Sequence, residues 1–149
     1  MRSAVTAVIT GASPADVFAQ IESLDTYPAW MRLVHHVEPA APEAGRPAWQ
    51  VQLRARVGPF ARSKRLRMVR TVFEPGRRVR FERVQDDDRD HAAWILEATV
   101  TAHPSGTELT MDLEYTGDLW GDALLRPLLD EEVRRGEQAL QSVVTAATR

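Results

Sequence analysis

The chain has 149 residues, no cysteine, 44% hydrophobic and 27% charged residues, and a formal net charge of −2. This predicts one globular domain over residues 1–149, large enough to bury a core, and excludes disulfides, thiolate metal sites and cysteine nucleophiles. No apolar run approaches the roughly 20 residues of a membrane span and the N-terminus does not resemble a secretory signal, so a cytoplasmic protein is the expectation.

Arg2 to Thr10, rich in Val, Ile and Thr and ended by Gly11, predicts a strand. Ser13-Pro14-Ala15-Asp16 then reads as a helix start: Ser13 caps, Pro14 suits the first turn, and Asp16 suits the positive helix end. Val17, Phe18 and Ile21 form the apolar face of a helix of about two turns ending near Glu22. Pro28, within Tyr27-Pro28-Ala29-Trp30, disfavours helix at Tyr27 and predicts a bend followed by a second short helix. Val34 to Glu38 reads as a brief strand, and Pro39 to Pro47, with three prolines and Gly45, as a loop.

The clearest strand follows, with Trp49, Val51, Leu53, Ala55 and Val57 alternating with Gln50, Gln52, Arg54 and Arg56. After the Gly58-Pro59 turn, Arg62 to Phe73 predicts a long strand whose apolar phase changes near Met68, the mark of a bulge. Glu74-Pro75-Gly76 turns into a strand around Val79 and Phe81. The acidic run Asp86 to Asp90 leads to a strand over Ala92–Ala102, and Pro104-Ser105-Gly106 turns into a last one over Glu108–Thr116. From Leu119 to Ala147 the period becomes helical: Leu125, Leu129, Val133, Gly136, Leu140, Val143, Val144 and Ala147 share one side, Asp130, Arg134, Gln138, Gln141 and Thr145 the other. Pro127 predicts a separate short piece or a kink near its start. Short connections favour antiparallel neighbours, so the class is α+β, with helices on one face of an antiparallel sheet.

The chain resembles the START-like (SRPBCC, birch-pollen-allergen-like) superfamily, and within it the bacterial polyketide cyclase/dehydrase-type proteins. The resemblance is carried by Ala12-Ser13-Pro14-Ala15-Asp16-Val17-Phe18 and Leu24-Asp25-Thr26-Tyr27-Pro28-Ala29-Trp30, with the departure that Asp25 lies only two residues before Tyr27. Phe73-Glu74-Pro75-Gly76-Arg77-Arg78-Val79 and Gly106-Thr107-Glu108-Leu109-Thr110 add to it. It implies a helix-grip fold: a curved seven-stranded antiparallel sheet wrapped around the long C-terminal helix, with two short helices after the first strand and a hydrophobic cavity between sheet and helix.

Such a cavity predicts binding of a small hydrophobic, lipid- or polyketide-like molecule. An aromatase/cyclase activity and a protein-interaction module are the alternatives. Trp30, Trp49, Leu53, Met68, Phe81, Trp94, Met111, Leu113 and Tyr115 on the strands and short helices, with Trp120, Leu125 and Leu129 on the long helix, are candidate ligand contacts or plain core. Arg70 continues the Leu66–Met68 face and Arg83 the Val79–Phe81 face; inward, either binds an anionic oxygen, and outward, which is favoured, it joins a basic surface. Gly136, centred in the apolar stripe, marks either close helix approach or space left for ligand. Adjacent His35 and His36 point to opposite faces of a strand, and no metal, phosphate-loop or nucleophile motif is present, so no metal, cofactor or catalytic residue is assigned. The Arg54–Arg83 stretch is strongly basic and suits nucleic acid, an anionic membrane surface, a protein partner or a homodimer contact. Nucleic acid is disfavoured because the arginines alternate with apolar residues and no aromatic side chain shares their face.

Overall fold

In a computed structural model, the chain is described over residues 2–57, 59–84, 93–116 and 122–147, leaving out the side chains of 57, 60, 122–130, 132 and 133. Strand β1 (Arg2–Thr10) is followed by helix α1 (Pro14–Ile21) and a 3₁₀ helix (Leu24–Ala29). Then come β2 (Val34–Glu43), β3 (Arg46–Val57), β4 (Phe60–Glu74), β5 (Arg78–Val84), β6 (Trp94–His103), β7 (Gly106–Tyr115) and helix α2 (Asp122–Ala147). The strands form one seven-stranded sheet in the order β1-β7-β6-β5-β4-β3-β2, every neighbouring pair antiparallel. Its inner face carries the core, including Ile9, Trp49, Leu53, Phe81, Leu96, Leu109 and Met111, and on it lie α1, the 3₁₀ helix and α2. This is the curved helix-grip sheet that the element order and the resemblance imply.

Local chemistry explains the start of the chain. Asp16 N–H donates to Ser13 Oγ (3.2 Å) and Ser13 N–H to Asp16 Oδ2 (3.5 Å), a reciprocal capping box around Pro14. Gly106 must be glycine: its φ is +153°, and a Cβ there would stand 2.2 Å from the Ile9 carbonyl oxygen of the adjoining strand. Thr107, fully buried, donates from Oγ1 to the Ala12 carbonyl (2.7 Å) and so ties the β1–α1 turn to β7.

Three expectations need correction. The loop expected over Pro39–Pro47 is strand almost throughout: β2 runs to Glu43, and β3 starts at Arg46. The reason is position, because β2 is an edge strand, where Pro39 and Pro42 cost few ladder hydrogen bonds, and the register shifts between Ala40 and Glu43. The turn itself is only Ala44-Gly45, both at positive φ (51° and 78°), as primed two-residue hairpins require. The bulge expected near Met68 lies further on, between Arg70 and Val72 opposite β5, where it bends the sheet. Finally, α2 is one helix of 26 residues and is not divided at Pro127, which sits close enough to the start to remove a single intrahelical hydrogen bond.

Candidate ligand cavity

The end of α1 sets the wall of the site. A helix leaves its last carbonyls without intrahelical donors, and here three side chains and one guanidinium supply them. Thr26 Oγ1 and Trp30 Nε1 donate to the Gln20 carbonyl (2.7 and 3.2 Å), Tyr27 OH to Ile21 (3.0 Å) and Arg70 Nη1 to Glu22 (2.8 Å). Arg70 also lies over the Phe73 ring (4.0 Å to its centroid), and Phe73 packs on Phe18 of α1. Burial lowers the Arg70 pKa from its ordinary value, partly offset by the Glu22 carboxylate, and raises that of the fully buried Tyr27 phenol far above its ordinary value of about 10. The Tyr27–Trp30 stretch is therefore a carbonyl cap that rigidifies the path into β2.

Beyond that cap lies a small apolar cavity of about 40 Å³. Leu24 borders it from the 3₁₀ helix, Met31 and Leu33 from the bend that follows and Val34 from the start of β2; Val51 and Leu53 from β3; Leu66 and Met68 from β4; Trp94 and Leu96 from β6; Leu113 from β7. No ionisable side chain is among these residues. Trp49 meets Phe81 edge-on at 5.6 Å and Phe81 meets Tyr27 at 5.8 Å, an aromatic cluster within the same core; Trp94 packs on Tyr115 at 4.4 Å.

Of the residues singled out from sequence, Leu53, Met68, Trp94 and Leu113 meet at this cavity. Trp49, Phe81 and Tyr115 belong to the surrounding aromatic core. Trp30 and Met111 instead border a separate narrow gap, with Val5, Ala7, Leu109, Gly136 and Leu140. Gly136 is a close approach: a Cβ there would stand 3.2 Å from the Trp30 carbonyl oxygen and 3.5 Å from its ring. Arg70 reaches the end of α1 and does not border the cavity. Arg83 is half-buried and stands opposite Met68 in the β4–β5 register, so its position is on the inner face, where an outward turn at a frayed strand end was the favoured expectation. Trp120, the run Asp86–Asp90 and His91 lie outside the described residues, as do the side chains of Leu125 and Leu129. Alternation already placed Val51, Leu66 and Leu96 on the cavity face without singling them out. Val34 opens the strand expected from Val34 to Glu38, whereas Met31 and Leu33 carry no such signal, because they lie in an irregular bend.

Outside the cavity the basic stretch divides. Arg78 pairs with Glu74 (3.1 Å) and Glu97 (3.5 Å), and Arg80 with Glu82 (3.5 Å) and Glu97 (3.8 Å), so the β5 half of the expected patch is a compensated ladder. Arg67 donates to the Ala41 carbonyl at the β2 register shift (2.6 Å) and to Glu43 (3.1 Å). An open groove of about 680 Å³ is bordered by Arg32, His35, Arg54, Arg56 and Arg135, with Glu131 the single acid among its described residues. His36 sits beside Glu38 (3.0 Å), and among the described residues no three His, Asp or Glu side chains are grouped to hold a metal. No described helix is long and apolar enough to cross a membrane.

The sequence profile described as "polyketide cyclase / dehydrase and lipid transport" matches residues 1–146. No curated protein sequence matches the chain significantly. Among solved structures, TTHA0849 from Thermus thermophilus superposes with a TM-score of 0.72 at 20% identity, covering 100% of this chain and 99% of that one. The Zhui aromatase/cyclase from Streptomyces sp. R1128 gives 0.68 at 12% identity, covering 100% and 94%. The di-domain ARO/CYC protein StfQ from the steffimycin biosynthetic pathway gives 0.70 at 12% identity; 99% of this chain is covered, and it spans about half (51%) of StfQ. At these identities the similarity is one of fold.

Proposed function

We propose, from the premise that the chain belongs to the polyketide cyclase/dehydrase and lipid transport family, that it binds a small hydrophobic molecule, lipid- or polyketide-like, at the apolar cavity between its sheet and the 3₁₀ helix. The observation that carries this reading is the lining: eleven described residues, from six elements and the bend before β2, converge on one space, and every one of them is apolar. A void in a well-packed core forfeits dispersion contacts and destabilises the fold, so its presence along the inner face calls for a use.

About 40 Å³ is little more than the share of liquid occupied by one water, so a larger ligand must displace lining side chains. Met31 and Met68, unbranched and polarisable, repack most readily. Native mass spectrometry of the protein isolated from its own source tests the reading, with a retained molecule of hydrophobic character expected. Val51→Phe, which fills the space, should lower retention at least tenfold while the protein stays folded. Unchanged retention, or protein that carries nothing and leaves its tryptophan emission unaltered across a panel of acyl chains and polycyclic aromatics, would overturn it.

An aromatase/cyclase activity is the second reading, and the inner-face position of Arg83 beside Met68 favours it. A guanidinium there can hold an enolate or phenolate oxygen while the apolar wall folds the chain. Arg83→Gln separates the readings: loss of turnover of a poly-β-ketone with binding retained supports the cyclase, and no turnover by the wild-type protein leaves binding alone.

A further inference from the structure

Among the described residues the cavity lining holds no ionisable side chain, so it suits the hydrocarbon part of a ligand. A lipid- or polyketide-like molecule also carries a polar end, and burying that end against this lining would strip its hydrogen bonds. The polar end must therefore leave the cavity where its wall meets solvent. Leu33 and Val34, both buried, meet that description: they border the cavity and also the open groove of about 680 Å³. Arg54 N–H donates to the Leu33 carbonyl (3.0 Å) and Val34 stands opposite Leu53, which holds this bend against β3. The buried side of β3 likewise runs from Val51 and Leu53 at the cavity to Ala55 at the groove.

The groove supplies what the cavity lacks. Arg32, His35, Arg54, Arg56 and Arg135 border it, all of them exposed. Glu131, the one acid among its described residues, is engaged by Arg135 at 2.9 Å. Arg32, Arg54 and Arg56 form no ion pair among the described residues, unlike Arg78 and Arg80 on β5, each of which meets two carboxylates. Three guanidiniums without a carboxylate thus share one space, Arg54 and Arg56 on either side of Ala55 and Arg32 just before Leu33. Like charges held together repel, and an anion placed among them relieves that repulsion. The planar guanidinium fork matches the oxygens of a phosphate two at a time.

We propose that this groove holds the phosphate head of a single-chain amphiphile whose hydrocarbon tail passes Leu33 and Val34 into the apolar cavity. This rests on ligand binding at the cavity and narrows the ligand from hydrophobic molecules in general to those with a phosphate head. Charge favours phosphate over carboxylate: a phosphate monoester carries about two negative charges near neutral pH and engages more than one of the three guanidiniums, whereas a carboxylate fills a single fork.

Isothermal titration calorimetry of the full chain with decyl phosphate, decanol and inorganic phosphate, each below its aggregation limit, tests this. Expected is binding of decyl phosphate about tenfold tighter than decanol at about 50 mM salt, a preference lost at about 500 mM salt, with inorganic phosphate far weaker than either. Arg32→Gln and Arg54→Gln should each cut the preference for the phosphate about fivefold, with unchanged circular dichroism and melting temperature. Arg78→Gln, in the compensated ladder, should leave the preference unchanged. Val51→Phe should weaken both decyl ligands about tenfold, because the tail occupies the space it fills. Equal affinity for decyl phosphate and decanol, or an Arg78→Gln effect equal to that of Arg54→Gln, would overturn the head site while ligand binding at the cavity stands. Inorganic phosphate binding as tightly as decyl phosphate, or decyl phosphate indifferent to Val51→Phe, would overturn the link between groove and cavity. Binding of neither decyl ligand would overturn the cavity reading and the head site together.

Discussion

Tyr27 shows how one side chain serves two neighbours. Its ring is buried against Trp30 and Phe81, and its hydroxyl gives the Ile21 carbonyl the donor that the end of α1 lacks. Because burial raises the phenol far above its ordinary value near 10, the folded protein holds this proton at pH values where the unfolded chain releases it. The unfolded state then binds fewer protons, so the contribution is fully present below about pH 10 and stability falls above it, by up to ~1.4 kcal/mol per pH unit. Tyr27→Phe should lower stability by about 1–2 kcal/mol at neutral pH, through the unsatisfied carbonyl, and should flatten the alkaline loss. Urea melts at about pH 8, 10 and 11 measure both effects. Gln141, on the polar side of α2, also ties distant parts of the chain together. Its amide accepts from the Thr10 N–H (2.8 Å) and donates to the Thr10 carbonyl (2.6 Å), satisfying both backbone groups at the end of edge strand β1.

At the scale of elements, α2 bears on the turn that caps α1. Gly136 makes that approach possible, since any side chain there meets the Trp30 backbone and ring. Gly136→Ala gains about 1 kcal/mol of helix propensity and meets a 3.2 Å contact, so it should fall within about 1 kcal/mol of the parent. Gly136→Leu should destabilise by about 3 kcal/mol or more, because the added atoms displace α2 from Trp30. Thermal melts of the two variants distinguish this contact from a ligand space: there, both would stay folded and only binding would suffer. The β2–β3 hairpin makes a comparable point about edges. Pro39 and Pro42 are acceptable in β2 because one side of it has no partner strand, and Arg67 reaches across to the Ala41 carbonyl that the shifted register leaves unpaired.

At the scale of the molecule, the sheet and α2 close on each other at one end. Leu140 and Val144 are the fully buried side chains of the described part of α2, and Leu140 faces β1, β7 and Trp30. Leu140→Ala should therefore cost about 2–5 kcal/mol and lower the single unfolding transition as a whole, measured by denaturant titration with both fluorescence and circular dichroism. The cavity is bordered by other residues of the core, and no described residue of α2 reaches it. Closure and candidate function are thus separated along the fold, so side chains at the cavity can rearrange while the Leu140 contact holds.

Periodicity and turn chemistry in the sequence determined the strand and helix order, the α1 cap and the inner face of β3, β4 and β6, because these depend on neighbours within a few residues. The same alternation placed Leu53, Met68 and Trp94 on the cavity side. What only the tertiary structure decided concerns partners distant in the chain. Arg70 sits in phase with Leu66 and Met68, yet it caps the carbonyl of Glu22, 48 residues earlier. Gly136 abuts Trp30, and Met31 and Leu33 complete a cavity from an irregular bend. The long C-terminal stripe predicts that a helix packs, but which glycine, carbonyl and ring it meets is set by how the curved sheet brings its two ends together.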